Sequence, residues 1–227
     1  QKVLALEQKA LLEIKEAIKN NPDDIAAMII EPIQAEGGDN HFRKEFFVEL
    51  RNLCDENDIL LIFDEVQTGI GSTGKMWAHE HFVNPDIVSF GKKTQVCGCL
   101  VSEKIDDIED NVFHVPSRIN STWGGNLADM VRFTRYLEII DEERLINNAA
   151  ITGKYLLKKL QDLNQYYPRK ISNVRGLGLM CAFDLPTPEE RDKLRKYCFQ
   201  NGLIILGCGD KSIRFRPALN ITEADID

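Results

Sequence analysis

The sequence predicts an α/β fold built on a parallel or mixed sheet, followed by a smaller α+β unit. Three observations point to it. Ile59-Leu60-Leu61-Ile62-Phe63 is an unbroken apolar run, the composition of a strand buried on both faces by helices. A strand, a helix and this second strand succeed one another between Ile25 and Phe63, the order of a βαβ unit. Beyond Ile171 the pattern changes to short strands alternating with one helix.

Taken in order, residues 1–20 form an amphipathic helix, with Leu4, Leu11, Ile14 and Ile18 on one face. Asn20-Asn21-Pro22-Asp23-Asp24 ends it in a turn. A strand over Ile25 to Ile30 stops at Glu31-Pro32, and a loop from Ile33 to Asp39 follows, where Gly37-Gly38 lets the backbone come close to a ligand. Lys44 to Asn57 is helical, with Phe46, Phe47, Leu50, Leu53 and Cys54 turned inward. Asp86 to Phe90 is a strand, and Cys99 to Val101 a shorter one. Asn126 to Asn164 is mostly helical, broken near Asn147-Asn148. Val174 to Phe183 is a glycine-containing strand; a helix (Thr187 to Asn201), strands (Leu203 to Leu206, Ser212 to Arg216) and the start of a helix at Ile221 complete the chain.

The chain has 227 residues, a formal charge of −8 and an acidic pI near 5.1, which argues against nucleic acid or an anionic membrane as partner. No apolar run has the length of a membrane span, and no signal peptide opens the sequence. Six scattered cysteines lack the spacing of a zinc site, so no metal is expected, and reduced thiols in a cytoplasmic protein are. His79-Glu80-His81 lacks the i, i+4 spacing of two ligands on a helix and is read as surface.

Chemistry concentrates where strands end. The Ile59–Phe63 run meets Asp64-Glu65, and the Asp86–Phe90 strand meets Gly91-Lys92-Lys93. Ligands in open α/β sheets bind beyond the carboxyl ends of strands. A carboxylate there either caps the next turn or meets a cation, such as the protonated ring nitrogen of pyridoxal phosphate, with a lysine one strand away forming the Schiff base. Gly69 to Lys75 offers a competing reading, since it fits Gly-x4-Gly-Lys of a nucleotide-binding P-loop. Met76 stands where that loop needs Ser or Thr, and the acidic strand precedes the glycines, so the reading is the weaker one.

Phe63-Asp64-Glu65-Val66-Gln67-Thr68-Gly69, Pro85-Asp86-Ile87-Val88 and Gly91-Lys92 closely resemble the class III aminotransferases of fold type I, the ornithine/GABA type. Gly91 to Gly98 and Asn120-Ser121-Thr122-Trp123-Gly124-Gly125-Asn126 are similar to their lysine 6-aminotransferase branch. The resemblance implies a pyridoxal-phosphate enzyme that moves the ε-amino group of L-lysine to 2-oxoglutarate, giving 2-aminoadipate 6-semialdehyde and glutamate. Ornithine, acetylornithine or GABA are the alternative donors. Lys92 would be the catalytic lysine, with Lys93 structural. Asp64 would hold the ring nitrogen, Val66 the ring's back face and Gln67 its phenolic oxygen. Thr122 would bind the phosphate of a partner's cofactor in a homodimer with shared sites, and Asn120 would touch substrate. Arg214 would bind the α-carboxylate, with Arg216 as the second choice and a salt-bridged surface pair as the plain alternative; Glu36 would lie in the substrate pocket and pair with a mobile arginine.

The resemblance also divides the chain into the second part of a cofactor-binding large domain (residues 1–145) and a small C-terminal domain, truncated at its end (residues 146–227). Family members are roughly twice as long. Residues 1–227 alone are therefore expected to lack the phosphate loop and the aromatic that stacks on the ring, to expose apolar strand edges, and to turn over no substrate. A non-catalytic fragment is the alternative function.

Overall fold

The computed structural model describes residues 2–120 and 122–227. Helix α1 (Lys2–Asn20) lays Leu11, Ile14 and Ile18 on the core, whereas Leu4 at its open end stays 45% exposed. The Asn21 side chain caps it by donating to Ala17 O at 2.8 Å. Strand β1 (Ala27–Ile30) follows. The segment expected to be a loop closes instead on itself: β2 (Ile33–Gln34) and β3 (Asn40–His41) pair antiparallel across the Ala35–Asp39 turn. Helix α2 (Lys44–Glu56) buries Phe46, Phe47, Leu50, Leu53 and Cys54, the face its periodicity predicts.

Strands β4 (Leu60–Asp64), β5 (Ile87–Phe90) and β6 (Gly98–Val101) complete the first sheet, in the order β1-β4-β5-β6. The first three are parallel and β6 is antiparallel. The two-sided burial expected of β4 is only half realised. Leu61 and Phe63 are closed off beneath α2 and α1, while Leu60 and Ile62 on the other face remain partly covered. Both neighbouring helices lie on one face, and the opposite face is covered near Phe90 by Trp77 and Phe133. The edge strands leave Ile29 65% and Leu100 45% exposed. Arg51 of α2 and the amide of Leu61 both donate to Asp86, at 2.9 and 2.7 Å, which fixes helix and strands around one buried carboxylate.

Helices α3 (Leu127–Glu142) and α4 (Leu145–Tyr166) are separated at Glu143-Arg144, where Arg144 has φ +53°, and not at Asn147-Asn148. Asn148 is helical; its side chain donates to Leu219 O and Ile221 O, tying α4 to the C-terminal segment. The single strand expected over Val174–Phe183 is a hairpin, β7 (Ser172–Leu177) and β8 (Met180–Asp184). It turns at Gly178, whose φ of +57° suits glycine and whose added Cβ would lie 2.4 Å from the Thr73 carbonyl carbon. Helix α5 (Pro188–Gln200) starts from a Thr187 cap, with proline in its first turn. The next strand forms later than expected, as β9 (Leu206–Cys208), with Leu203 and Ile204 left exposed ahead of it. With β10 (Ser212–Phe215) the second sheet runs β7-β8-β10-β9, antiparallel throughout. Leu156 and Leu160 of α4 pack against Cys181, Phe183 and Ile213, and the short α6 (Glu223–Ile226) adds Ile226. Among the described residues no helix is long and apolar enough to cross a membrane.

Candidate active site

Asp64 and the lysine pair stand at the carboxyl ends of adjacent parallel strands, β4 and β5, with Asp64 in register with Ser89. Asp64 Oδ1 accepts the amide of Val66 at 3.0 Å. Turn capping and ligand binding are therefore not exclusive, since one oxygen orients the carboxylate and the other accepts no hydrogen bond among the described residues. Lys92 follows Gly91 at φ +55°, the left-handed region uncommon outside glycine. That abrupt turn sends two consecutive lysines in different directions. Lys92 is exposed. Lys93 turns inward and donates to Gln67 O at 2.6 Å and Gly69 O at 3.0 Å. Burial pushes its ammonium down to about 8, with the Arg216 and Lys92 cations adding and Glu65 opposing.

A cavity of about 650 Å³ opens here. Gln67, Lys92 and Lys93 form one wall, Tyr136 and Ile140 of α3 a second, and Arg216 to Leu219 a third. Arg216 is no surface residue: its side chain is 17% exposed and pairs with both oxygens of Asp39, which is fully buried. Arg175 donates to Gly38 O and Asp39 O as well, so the β2–β3 turn is clamped to the second sheet. His41 at the end of that turn is pushed down to about 4 by burial, Asp39 opposing and Arg175 and Arg216 adding.

Arg214 belongs to a separate groove. Its guanidinium, 10% exposed, meets Glu36 at 2.7 Å, while Glu36 is 73% exposed. Arg191, Arg195 and Gly207 to Gly209 line the same groove. The Nε and Nη1 of Arg214 are buried without a partner among the described residues, so the fork has unspent donors for an anion. Of the plain alternative, a salt-bridged surface pair, the salt bridges hold and the surface placement does not: Arg214 and Arg216 are each largely buried, each with its own acid and its own pocket.

Asn120 and Thr122 are exposed on the segment before α3 and do not line the Lys92 cavity; Ser121 of that motif lies outside the described residues. The P-loop reading fails on geometry. Gly71 and Gly74 spend their amides on Met76 O and Gly71 O, and a short 3-10 turn (Ala78–His81), not a helix of useful length, follows the loop. The loop instead packs on the second sheet, where Leu179 N donates to Ser72 O at 2.9 Å.

The sequence reading missed Glu65. Its carboxylate is 1% exposed and accepts the amides of Ala78 and His79 at 2.6 and 2.8 Å, the His79 ring at 2.9 Å and the Thr68 hydroxyl at 3.3 Å. His79 and His81, read as surface, are partly buried: His79 on Glu65 and His81 on Thr73. The signal available was the acidic doublet itself, because two consecutive strand-end carboxylates face opposite ways.

The donor set fits the ring end of pyridoxal phosphate. A carboxylate, an amine and an amide side chain suit a pyridinium, an aldehyde and a phenolic oxygen respectively. Gly91 ahead of Lys92 is closely packed: a Cβ there would lie 3.0 Å from Cys97 Sγ and 3.7 Å from Val66 Cγ1. Two strand-end groups over a mixed sheet, an acid and an exposed lysine, define the class of fold-type-I pyridoxal-phosphate proteins.

Comparison with known proteins agrees. The family model for class-III aminotransferases matches residues 2–227, and the chain belongs to that family. It is 54% identical over 224 residues to the L-lysine-epsilon aminotransferase of Mycobacterium tuberculosis, covering 98% of this chain and 50% of that protein. Against the enzyme of the same name from Amycolatopsis lactamdurans it is 48% identical over 223 residues, covering 97% and 50%. The structure of the lysine aminotransferase from M. tuberculosis in the internal aldimine form superposes with a TM-score of 0.96 at 53% identity, covering 98% of this chain and 52% of that one. The chain spans about half the length of the curated relatives it matches. The family's chemistry depends on pyridoxal phosphate.

Proposed function

We propose that this chain forms part of an aminotransferase that moves the ε-amino group of L-lysine to 2-oxoglutarate, giving 2-aminoadipate 6-semialdehyde and glutamate. The observation that supports it best is the placement of Asp64 and Lys92 on neighbouring strand ends, with Gln67 and Lys92 opening on one cavity. The names of the relatives support lysine as donor.

When bound, pyridoxal phosphate supplies the electron sink. Asp64, oriented by the Val66 amide, would keep a proton on the ring nitrogen; Val66 would back the ring and Gln67 would donate to its phenolic oxygen. Lys92, on the cavity wall, would hold the cofactor's aldehyde end, and its free amine would move a proton at the substrate's amine-bearing carbon. Arg214 receives the carboxylate after Glu36 releases it. Thr122 would serve the phosphate, and Asn120 the substrate, in a second copy of the chain. The exposed Trp123 (79%), Leu127 (79%) and Val131 (71%) around them support a covered, homodimeric arrangement. Residues 1–145 and 146–227 are read as parts of the large and small domains.

Incubation with pyridoxal phosphate, borohydride reduction and peptide mapping tests the reading. One adduct on Lys92 supports it; scatter over surface lysines, or none, removes the site from this chain. With this chain in the context of a full-length family member, glutamate formation dependent on lysine, and not on ornithine or 4-aminobutyrate, then tests the donor.

A further inference from the structure

We propose that Lys93 is a positioning residue for the Lys92 site: its buried ammonium holds the Gln67–Gly69 turn in place through two backbone carbonyls. The proposal rests on the roles given above to Lys92 and Gln67. Lys93 donates to Gln67 O at 2.6 Å and to Gly69 O at 3.0 Å, so two of its three donors go to one turn. The other end of the turn is held by Glu65, whose buried carboxylate takes the amides of Ala78 and His79, and whose carbonyl takes the amide of Gly69. The turn is thus suspended between a buried anion and a buried cation. The Gln67 side chain leaves it toward the cavity onto which Lys92 opens. Charge-assisted bonds are the stronger kind, and burying an ammonium is tolerated only where acceptors meet it. Nothing else among the described residues takes the Gln67 and Gly69 carbonyls. The lowered pKa of Lys93 follows from the same burial.

Two measurements test this on the whole chain. The first follows amide exchange by mass spectrometry without cofactor. Lys93→Met keeps the apolar stem and should speed exchange of residues 65–70 about tenfold, for the loss of two charged hydrogen bonds. Residues 172–215 should be unaffected, and Lys93→Arg should restore much of the protection. The second measures pyridoxal phosphate affinity by absorbance for Lys93→Met, Gln67→Ala and the double variant. Each single change should weaken binding about tenfold, and the double variant about tenfold in total and not a hundredfold, because Lys93 acts through Gln67. Unchanged exchange, or independent multiplicative losses, would overturn the proposal. If the unaltered chain takes up no pyridoxal phosphate, the role given to Lys92 falls, and the exchange experiment alone decides whether Lys93 holds the turn.

Discussion

Replacing His41 by phenylalanine should remove a specific acid sensitivity from the fold. The ring of His41 ends the β2–β3 turn, and its Nε2 is buried without a partner among the described residues. Burial pushes its pKa from 6.5 down to about 4, Asp39 opposing and the Arg175 and Arg216 guanidiniums adding. The unfolded chain therefore binds more protons than the folded one between those values. Stability present above pH 6.5 is lost as pH falls through 4. For these two pKa values the loss from pH 7 to pH 5 is about 2 kcal/mol, reaching about 3 kcal/mol at pH 4. The assay is urea unfolding followed by circular dichroism, for the unaltered chain and His41→Phe, at pH 7 and pH 5. All other titrating groups are common to both proteins, so the difference between them isolates the imidazole. The variant should gain about 2 kcal/mol relative to the unaltered chain at the lower pH. Parallel pH dependence in the two proteins would show that burial leaves the His41 pKa where it is in the unfolded chain, and would refute the reasoning.

Other expectations follow from single contacts. Asp86→Ala strips the acceptor from both Arg51 and the Leu61 amide, and should cost about 3 kcal/mol in urea unfolding. Asp86→Asn keeps one acceptor and should cost clearly less. Gly178→Ala puts a Cβ 2.4 Å from the Thr73 carbonyl carbon at a φ of +57°, so thermal unfolding should show a loss of about 3 kcal/mol. Lys92→Ala should abolish the borohydride-trapped adduct without moving it to Lys93, whose amine is engaged by two carbonyls. Appearance of the adduct on Lys93 would show that this clamp opens freely.

The residues alone determined the elements whose chemistry is local. The face of α2 follows from apolar spacing, and its five inward residues are the ones buried. The strand character of Leu60–Asp64 and Ile87–Phe90, and the charged groups that end them, were equally legible, because a parallel sheet brings strand ends together whatever the remaining topology. What escaped depended on partners distant in the chain. The Val174–Phe183 run looks like one strand until Gly178 meets Thr73, and Asn147-Asn148 looks like a helix break until Asn148 finds Leu219 and Ile221. By composition Lys92 and Lys93 are equivalent, as are Asp64 and Glu65. The resemblance chose Lys92 and Asp64, and the tertiary structure gives the reason: Lys93 and Glu65 turn inward to hold a turn, while Lys92 lies exposed at the cavity and Asp64 at the neighbouring strand end. It likewise sends Arg214 to Glu36 and Arg216 to Asp39. The physical reason is burial: a charged side chain taken out of water needs a fixed partner, and sequence does not say which partner the fold will bring.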